Sequence, residues 1–142
     1  MKKEQEQERS SQNQNESTQE LSARILSLCF AALLIPGLGH AILRKWDRAI
    51  VFFGCILFMF LTGLYLEGEL FRPELDITFS TLKFIADAGS GLFYWISWLS
   101  DIGTPNPTAY TYGYANVFLY VAGLLNMLVV IDVFDIAKGR KQ

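Results

Sequence analysis

Residues 49–66, AIVFFGCILFMFLTGLYL, form an uncharged run in which eleven of the 18 residues are Leu, Ile, Val or Phe. A run of this length and composition is typical of a helix that crosses the hydrocarbon core of a membrane. On the insertion scale these eleven side chains contribute about −5 kcal/mol in total. The sequence therefore predicts a transmembrane helix over about 49–66.

A second apolar stretch lies near the C-terminus. From Tyr112 to Ile131 it has 20 residues, which is about 30 Å as an α-helix and matches the thickness of the hydrocarbon core. Two acids and then a basic tail follow it. We predict a second transmembrane helix over about 112–133.

The first apolar segment is interrupted at Pro36. Proline lacks a backbone N–H and its ring clashes with the preceding turn, so a helix usually ends before it. Because Ser17–Glu20 fits a capping box, we predict a short broken first helix over about 18–35. Its apolar part spans about 16 Å, roughly half of the hydrocarbon core. Residues 21–43 therefore either cross the membrane with a bend or enter it and return.

The region between the two long runs is more polar. Its middle part has nine Leu, Ile and Phe residues, which favour insertion by about −4 kcal/mol, whereas Lys83 and Asp87 each oppose insertion by about +2.5 to +3.5 kcal/mol. The unfavourable sum and the Gly89–Gly91 interruption argue against a third crossing. We predict two short amphipathic helices, about 77–88 and 91–100, that lie on the membrane surface or dip into it.

Residues 1–20 contain no apolar side chain after Met1 and are rich in Gln, Glu, Ser and Asn. Such a segment cannot bury enough surface to offset its ordering entropy. We therefore predict a disordered polar tail over 1–20. Residues 21–142 are expected to form a single helical membrane domain, because one domain is the default for a chain of 142 residues.

The charges predict an orientation. The loop 44–48 carries three bases and the tail after Ala137 carries three more, whereas residues 67–114 have two bases and six acids. Basic loops stay on the cytoplasmic side. We predict a multi-pass protein of the cell (inner) membrane, with the loop 44–48 and the C-terminus in the cytoplasm and residues 67–111 outside.

The helix break contains a motif that could carry function, formed by Pro36, Gly37, Gly39 and His40. His40 is the one histidine of the chain. It could titrate at the break, or it could hydrogen-bond the backbone groups that the break leaves without a partner. Irregular backbone at membrane depth must find partners inside the protein, which favours the second interpretation.

Two further sets of residues are candidates for helix contacts. Asp132 and Asp135 share a helix face and are expected at the same depth as Arg44 and Arg48, which predicts an ion-pair cluster. The alternative is a proton or cation site, because acids at membrane depth are often functional. On the last helix, small and amide side chains mark a packing surface in lipid, formed by Gly123 and Asn126.

No catalytic motif, metal-ligand spacing or cofactor loop occurs in the chain. A formal net charge of −2 without a basic stripe argues against nucleic acid as a partner. The expected partners are the lipid bilayer and either a second copy or another membrane protein. We therefore expect a non-enzymatic packing or interaction component of the membrane. The alternative is a small transport or channel subunit with His40, Asp132 and Asp135 on a proton or ion path.

Three stretches resemble a bacterial family of small membrane proteins, domain of unknown function 6677. They are IPGLGHAILRKWDRAIVFF, ADAGSGLFYWIS and YGYANVFLYVAGLLNMLVVIDVFDIAKGRK, which together cover most of residues 28–141. PGLGH alone occurs in many small membrane proteins, so the ordered set of three carries the resemblance. It implies a helical membrane protein of similar length, and it implies no catalytic role because the family has no assigned activity.

Overall fold

The computed structural model describes residues 2–71, 78–102 and 105–140, and every regular element in these ranges is an α-helix. The all-α fold predicted from the sequence is therefore confirmed. In chain order the described helices are α1 (Lys2–Leu34), α2 (Leu38–Ile42), α3 (Trp46–Tyr65), α4 (Thr78–Ala88), α5 (Leu92–Leu99) and α6 (Tyr112–Ala137).

The helix ends lie close to their predicted places in most cases. Helix α3 begins at Trp46 instead of residue 49, with Asp47 in its first turn, where a negative charge favours the positive end of the helix dipole. Helix α6 continues beyond residue 133 to Ala137 and is followed by Gly139 with φ of +70°. A glycine in this conformation is a common helix terminator. The predicted start of α4 at residue 77 lies outside the described residues.

Helix α1 differs most from its prediction, because it begins at Lys2 and not near residue 18. The Ser17 and Thr18 hydroxyls donate to the carbonyl oxygen of Gln14, so they lie inside the helix and do not cap it. The side chains of residues 12–24 are all exposed. This part of α1 therefore gains little from tertiary packing, and disorder of the polar tail in solution stays a prediction.

Helices α3 and α6 pack against each other in antiparallel directions. At one end Gly63 lies against Ala115 and Leu119, and at the other end Arg48 lies beside Asp132. We call the first the linker end, because residues 67–71 pass over it, and the second the basic end. Between them lies the apolar core: Ile56, Phe60, Leu119, Ala122 and Val129.

Helices α1 and α2 form a hairpin that reaches only halfway along α6. Helix α1 runs from the basic end until its Leu33 carbonyl meets Asn126, in the middle of α6. After the break, α2 returns towards the basic end and places His40 beside Asp132. The first apolar segment thus enters the bundle and comes back, and the arrangement of residues 21–43 in a membrane stays a prediction.

Helices α4 and α5 form a second hairpin, which enters from the linker end. The backbone at Ala86 and Gly89 packs directly on Gly123 in the middle of α6. Helix α5 then returns, and the Tyr94 hydroxyl donates to the carbonyl oxygen of Phe71 in the linker, at 2.8 Å. These helices thus pack within the bundle, and their placement on the membrane surface or inside the membrane stays a prediction.

Candidate functional site

The tips of the two hairpins meet beside Asn126, and we call this contact the central junction. The Asn126 amide nitrogen, Nδ2, donates to Leu33 O at 3.0 Å and to Gly89 O at 2.9 Å. Leu33 O lies in the last turn of α1 and Gly89 O directly follows α4. At such C-terminal ends a helix has no internal donors for its last carbonyl groups. One buried side chain therefore satisfies the ends of two broken helices.

Glycines let the backbones of the junction approach each other. A Cβ atom on Gly123 would lie 1.7 Å from Ala86 O, and one on Gly91 would lie 2.2 Å from Leu33 O. Gly91 also has φ of +69°, which disfavours other residues. The predicted packing residues Gly123 and Asn126 both lie at this junction, and the space between the hairpin tips is filled by backbone.

All four residues of the Pro36–His40 motif named above are buried. Gly37 takes φ of +79°, and a Cβ atom there would lie 2.6 Å from Ala49 O. Leu38 N donates to Ile35 O at 3.1 Å and closes the turn. The motif therefore reverses the chain in very little space, and glycine at position 37 is required both by its dihedral angle and by the neighbouring α3 backbone.

The sequence favoured a hydrogen bond from the His40 ring to backbone groups at the helix break, and the structure shows a different contact. His40 is fully buried, and its Nε2 atom lies 3.0 Å from Asp132 Oδ2, so its partner is a side chain on α6 and not a backbone group at the break. The ring also packs on Phe52, with 5.1 Å between centroids. Its Nδ1 atom has no hydrogen-bond partner among the described residues.

The predicted ion-pair cluster is only partly assembled. Arg48 Nη1 lies 3.8 Å from Asp132 Oδ2, on the same oxygen that meets His40. Asp135 instead lies 3.8 Å from Arg140 Nη1, one turn further along the chain. Arg44 is exposed with φ of +59° and makes no ion pair in the described part of the chain. The structure thus brings together His40, Arg48 and Asp132, which we call the basic-end cluster.

This cluster leads to a testable expectation. We expect Asp132→Asn to lower the free energy of unfolding by about 1–2 kcal/mol, because it weakens contacts to both Arg48 and the buried His40 ring. Thermal unfolding in detergent micelles measures the change. Combining it with Arg48→Gln should add less than the separate effect of Arg48→Gln.

Asp135→Asn is the matched control, because it removes an acid on the same helix that contacts only exposed Arg140 among the ion pairs found. It should change stability by less than about 0.5 kcal/mol. Full additivity of Asp132→Asn and Arg48→Gln would contradict the pairing.

A group of polar side chains that contact linker residues 67–71 was missed in the sequence. Asp87 is buried, and its Oδ2 atom accepts a hydrogen bond from Phe71 N at 3.0 Å. Asn116 Oδ1 accepts from Glu69 N at 2.8 Å, and the Tyr112 hydroxyl donates to the Glu69 carboxylate. The sequence does show Asp87 as a lone acid beside the Gly-Ser-Gly turn. Its partner, Phe71, lies in a loop, and hydrophobic periodicity does not predict the position of a loop residue.

The polar contacts occupy three levels along α6: the basic-end cluster, the central junction and the linker end. From Asp132 to Tyr112 the helix rises about 30 Å. Apolar layers separate the levels, with Val129 between Asp132 and Asn126 and with Leu119 and Ala122 beyond the junction. In the described part of the chain, no three His, Cys, Asp or Glu side chains are grouped to hold a metal ion. Side chains satisfy helix-end carbonyls at the central junction and backbone N–H groups of the linker, whereas the basic-end cluster joins side chains to each other.

Comparison with known proteins identifies the family. A search of curated proteins and a search of solved structures each found no match. The family described as "Family of unknown function (DUF6677)" matches residues 27–142. That range includes the C-terminal part of α1, both hairpin tips, α3 and α6, and the resemblance noted in the sequence is confirmed. The chain therefore belongs to the DUF6677 family of unknown function.

Proposed function

We propose that this protein is a multi-pass integral membrane protein in which α3 and α6 cross the bilayer. Both helices are long and apolar enough to do so. Only 22% of the residues in the most apolar part of α3 are buried, and 33% in α6. A core helix of a soluble protein would bury most of its apolar side chains, so the outward apolar faces support contact with lipid. Examples are Ile50, Phe58, Leu128 and Ile131.

The charge distribution supports the orientation. With the basic end in the cytoplasm and residues 67–111 outside, the bases of the loop 44–48 and of the C-terminal tail lie on the side that the positive-inside rule requires. The α1–α2 hairpin then enters from the cytoplasm and the α4–α5 hairpin from the outside. In this arrangement the N-terminal tail is cytoplasmic.

Within the membrane we infer a non-enzymatic packing or interaction component. The observation that carries this inference is the central junction, where Asn126 uses its amide on two backbone carbonyls and glycines bring backbone onto backbone. Polar groups engaged in this way hold two broken helices in place. The outer apolar surface is then available to lipid and to a second copy or another membrane protein.

A second candidate is a transport or channel subunit with a proton or ion path. The specific observation in its favour is His40, which is fully buried with Nδ1 unpartnered among the described residues and with Asp132 at its other nitrogen. Asp135, which the sequence placed on the same path, lies instead beside Arg140. A path would require water to reach the central junction.

Cysteine labelling tests the choice between the two. Single cysteines at positions 40, 126 and 132 are placed in a variant with Cys29→Ser and Cys55→Ser, and a charged thiol reagent is added from either side of sealed vesicles. The packing function predicts that positions 40 and 126 stay unlabelled from both sides. A cysteine at exposed Gly139 is the control and should label from the cytoplasmic side.

Proton flux into reconstituted vesicles provides an independent readout that needs no substitution at the junction. A packing component gives no flux above that of empty vesicles. Labelling of all three positions, together with flux that Asp132→Asn abolishes, would contradict the packing function and establish the second candidate.

A further inference from the structure

Asp87 is an enclosed carboxyl group in the last turn of α4, and its side chain faces the linker. It is 1% exposed. Its Oδ2 atom accepts one hydrogen bond, from Phe71 N, and its Oδ1 atom has no partner among the described residues. Buried carboxylates in proteins are normally paired with a cation or fully hydrogen-bonded. Among the described residues, Asp87 has neither kind of compensation.

The charged and titratable groups in the described part of the chain do not supply a cation partner. Lys83, one turn earlier on α4, has its Nζ atom 4.5 Å from the centroid of the Phe71 ring and is exposed. Glu69 in the linker adds negative charge. The groups that face the Asp87–Phe71 contact from the four surrounding elements are Lys83 of α4, Glu69 of the linker, Tyr94 of α5, and Tyr112 and Tyr120 of α6.

We propose that Asp87 is a reversible proton-binding site, and that the proton weakens the attachment of linker residues 67–71 to α4. Asp87 lies between Ala86 and Gly89 of the central junction, but its side chain faces Phe71 of the linker, whereas Asn126 donates to Leu33 O and Gly89 O. The proposal concerns the linker contact, so it does not depend on whether the junction serves packing or transport. The geometry is supported by the effect of burial, which raises the pKa of Asp87 to about 7, with Phe71 N–H and Lys83 opposing the change and Glu69 adding to it.

The chemistry of the step follows from the two carboxyl oxygens. In the ionised form Oδ2 accepts the Phe71 N–H bond as a charged acceptor, and such bonds are about twice as strong as neutral ones. A proton from solvent binds Oδ1, the oxygen without a partner, and leaves Oδ2 as a neutral carbonyl acceptor. The Phe71 bond then weakens, while the Tyr94 hydroxyl continues to hold the Phe71 carbonyl. Protonation thus loosens one of two attachments of Phe71.

Infrared spectroscopy of the full chain in phosphatidylcholine–phosphatidylglycerol nanodiscs tests the site. In the wild type we expect the stretching band of a protonated carboxyl to persist at pH values above those at which carboxyl groups ordinarily titrate. The band should disappear as the pH rises through about 7. Asp87→Asn should lack this band. Glu69→Gln is the control, because it removes an acid that adds negative charge near Asp87, and it should keep the band. Loss of the wild-type band near pH 4, or its survival in Asp87→Asn, would overturn the proposal.

Amide hydrogen exchange of residues 68–71 tests the coupling to the linker. After correction for intrinsic exchange rates, protection should be about tenfold greater with Asp87 ionised than with it protonated. Asp87→Asn keeps an acceptor oxygen for Phe71 N–H but should lose the pH dependence. Equal protection on both sides of pH 7 in the wild type would contradict the coupling. This comparison uses the wild type alone and does not require the variant to fold.

Stability should follow the same titration. The pKa of Asp87 is higher in the folded protein than the ordinary value of 3.8, so its contribution to stability is fully present below that value and is lost as the pH rises through about 7. The midpoint temperature of thermal unfolding should therefore decrease from mildly acidic to mildly alkaline buffer. In Asp87→Asn this fall should be smaller. A steeper fall in the variant would contradict the assignment.

Discussion

Replacing Gly123 with alanine is expected to lower the free energy of unfolding by about 3 kcal/mol or more. The added Cβ atom would lie 1.7 Å from Ala86 O and 2.8 Å from Ala86 C, which are backbone atoms of α4. A flexible side chain could turn aside, but a helix backbone cannot do so without moving the whole α4–α5 hairpin. That movement would also separate Gly89 O from Asn126.

Denaturant unfolding in detergent micelles measures this effect, and Gly113→Ala is the matched control. Gly113 lies on the same helix with no neighbouring atom within 4 Å of its ideal Cβ position. Alanine has the higher helix propensity, so Gly113→Ala should leave stability unchanged or raise it slightly. If both variants were equally stable, the close approach of α4 to α6 at Gly123 would be wrong.

Asn126→Leu is expected to lower the free energy of unfolding by about 2–4 kcal/mol. Leucine has a similar size, but it leaves Leu33 O and Gly89 O without the donor that the structure gives them. An unsatisfied buried carbonyl costs about 1–3 kcal/mol, although single interhelical hydrogen bonds in membranes often measure nearer 0.6 kcal/mol. Because one side chain serves two carbonyls, both hairpins should loosen together.

The loosening can be located by amide exchange. In Asn126→Leu, exchange should accelerate in the last turn of α1 and in the last turn of α4, although residues 33 and 89 are far apart in the chain. The control is Asn116→Leu, which removes one contact to Glu69 N at the linker end and should affect only that level. Acceleration confined to one of the two hairpins would contradict a shared junction.

The two long apolar helices could be predicted from the sequence because insertion energy is a sum over a contiguous window. No distant partner is needed to recognise eleven large apolar residues among the 18 of residues 49–66. The break at Pro36 is local for the same reason, since the missing N–H and the ring clash act within one turn. Gly123 and Asn126 could be selected as packing residues by type and spacing alone.

The candidate site was less predictable where it depends on residues far apart in the chain. The expected depth of the side chains suggested that Asp135 would pair with a base of the loop 44–48. In the structure Asp135 pairs with Arg140, which lies only five residues further along the chain. Asp87 was counted only as a cost of insertion, because its partner Phe71 N lies in a loop. Similarly, the local pattern of residues 17–20 suggested a helix start, but these residues lie inside α1.

The sequence by itself determined that this chain is helical, that its central and C-terminal apolar runs suit a membrane, and that the first segment breaks at Pro36. Only the tertiary structure decided that two hairpins, each reaching about halfway along α6, enter the bundle from opposite ends and meet at Asn126. The physical reason is the range of the interactions. Helix formation and apolar transfer depend on neighbours within a few turns, whereas the junction depends on carbonyl groups that the broken helices leave unsatisfied and on glycines that let distant backbones touch.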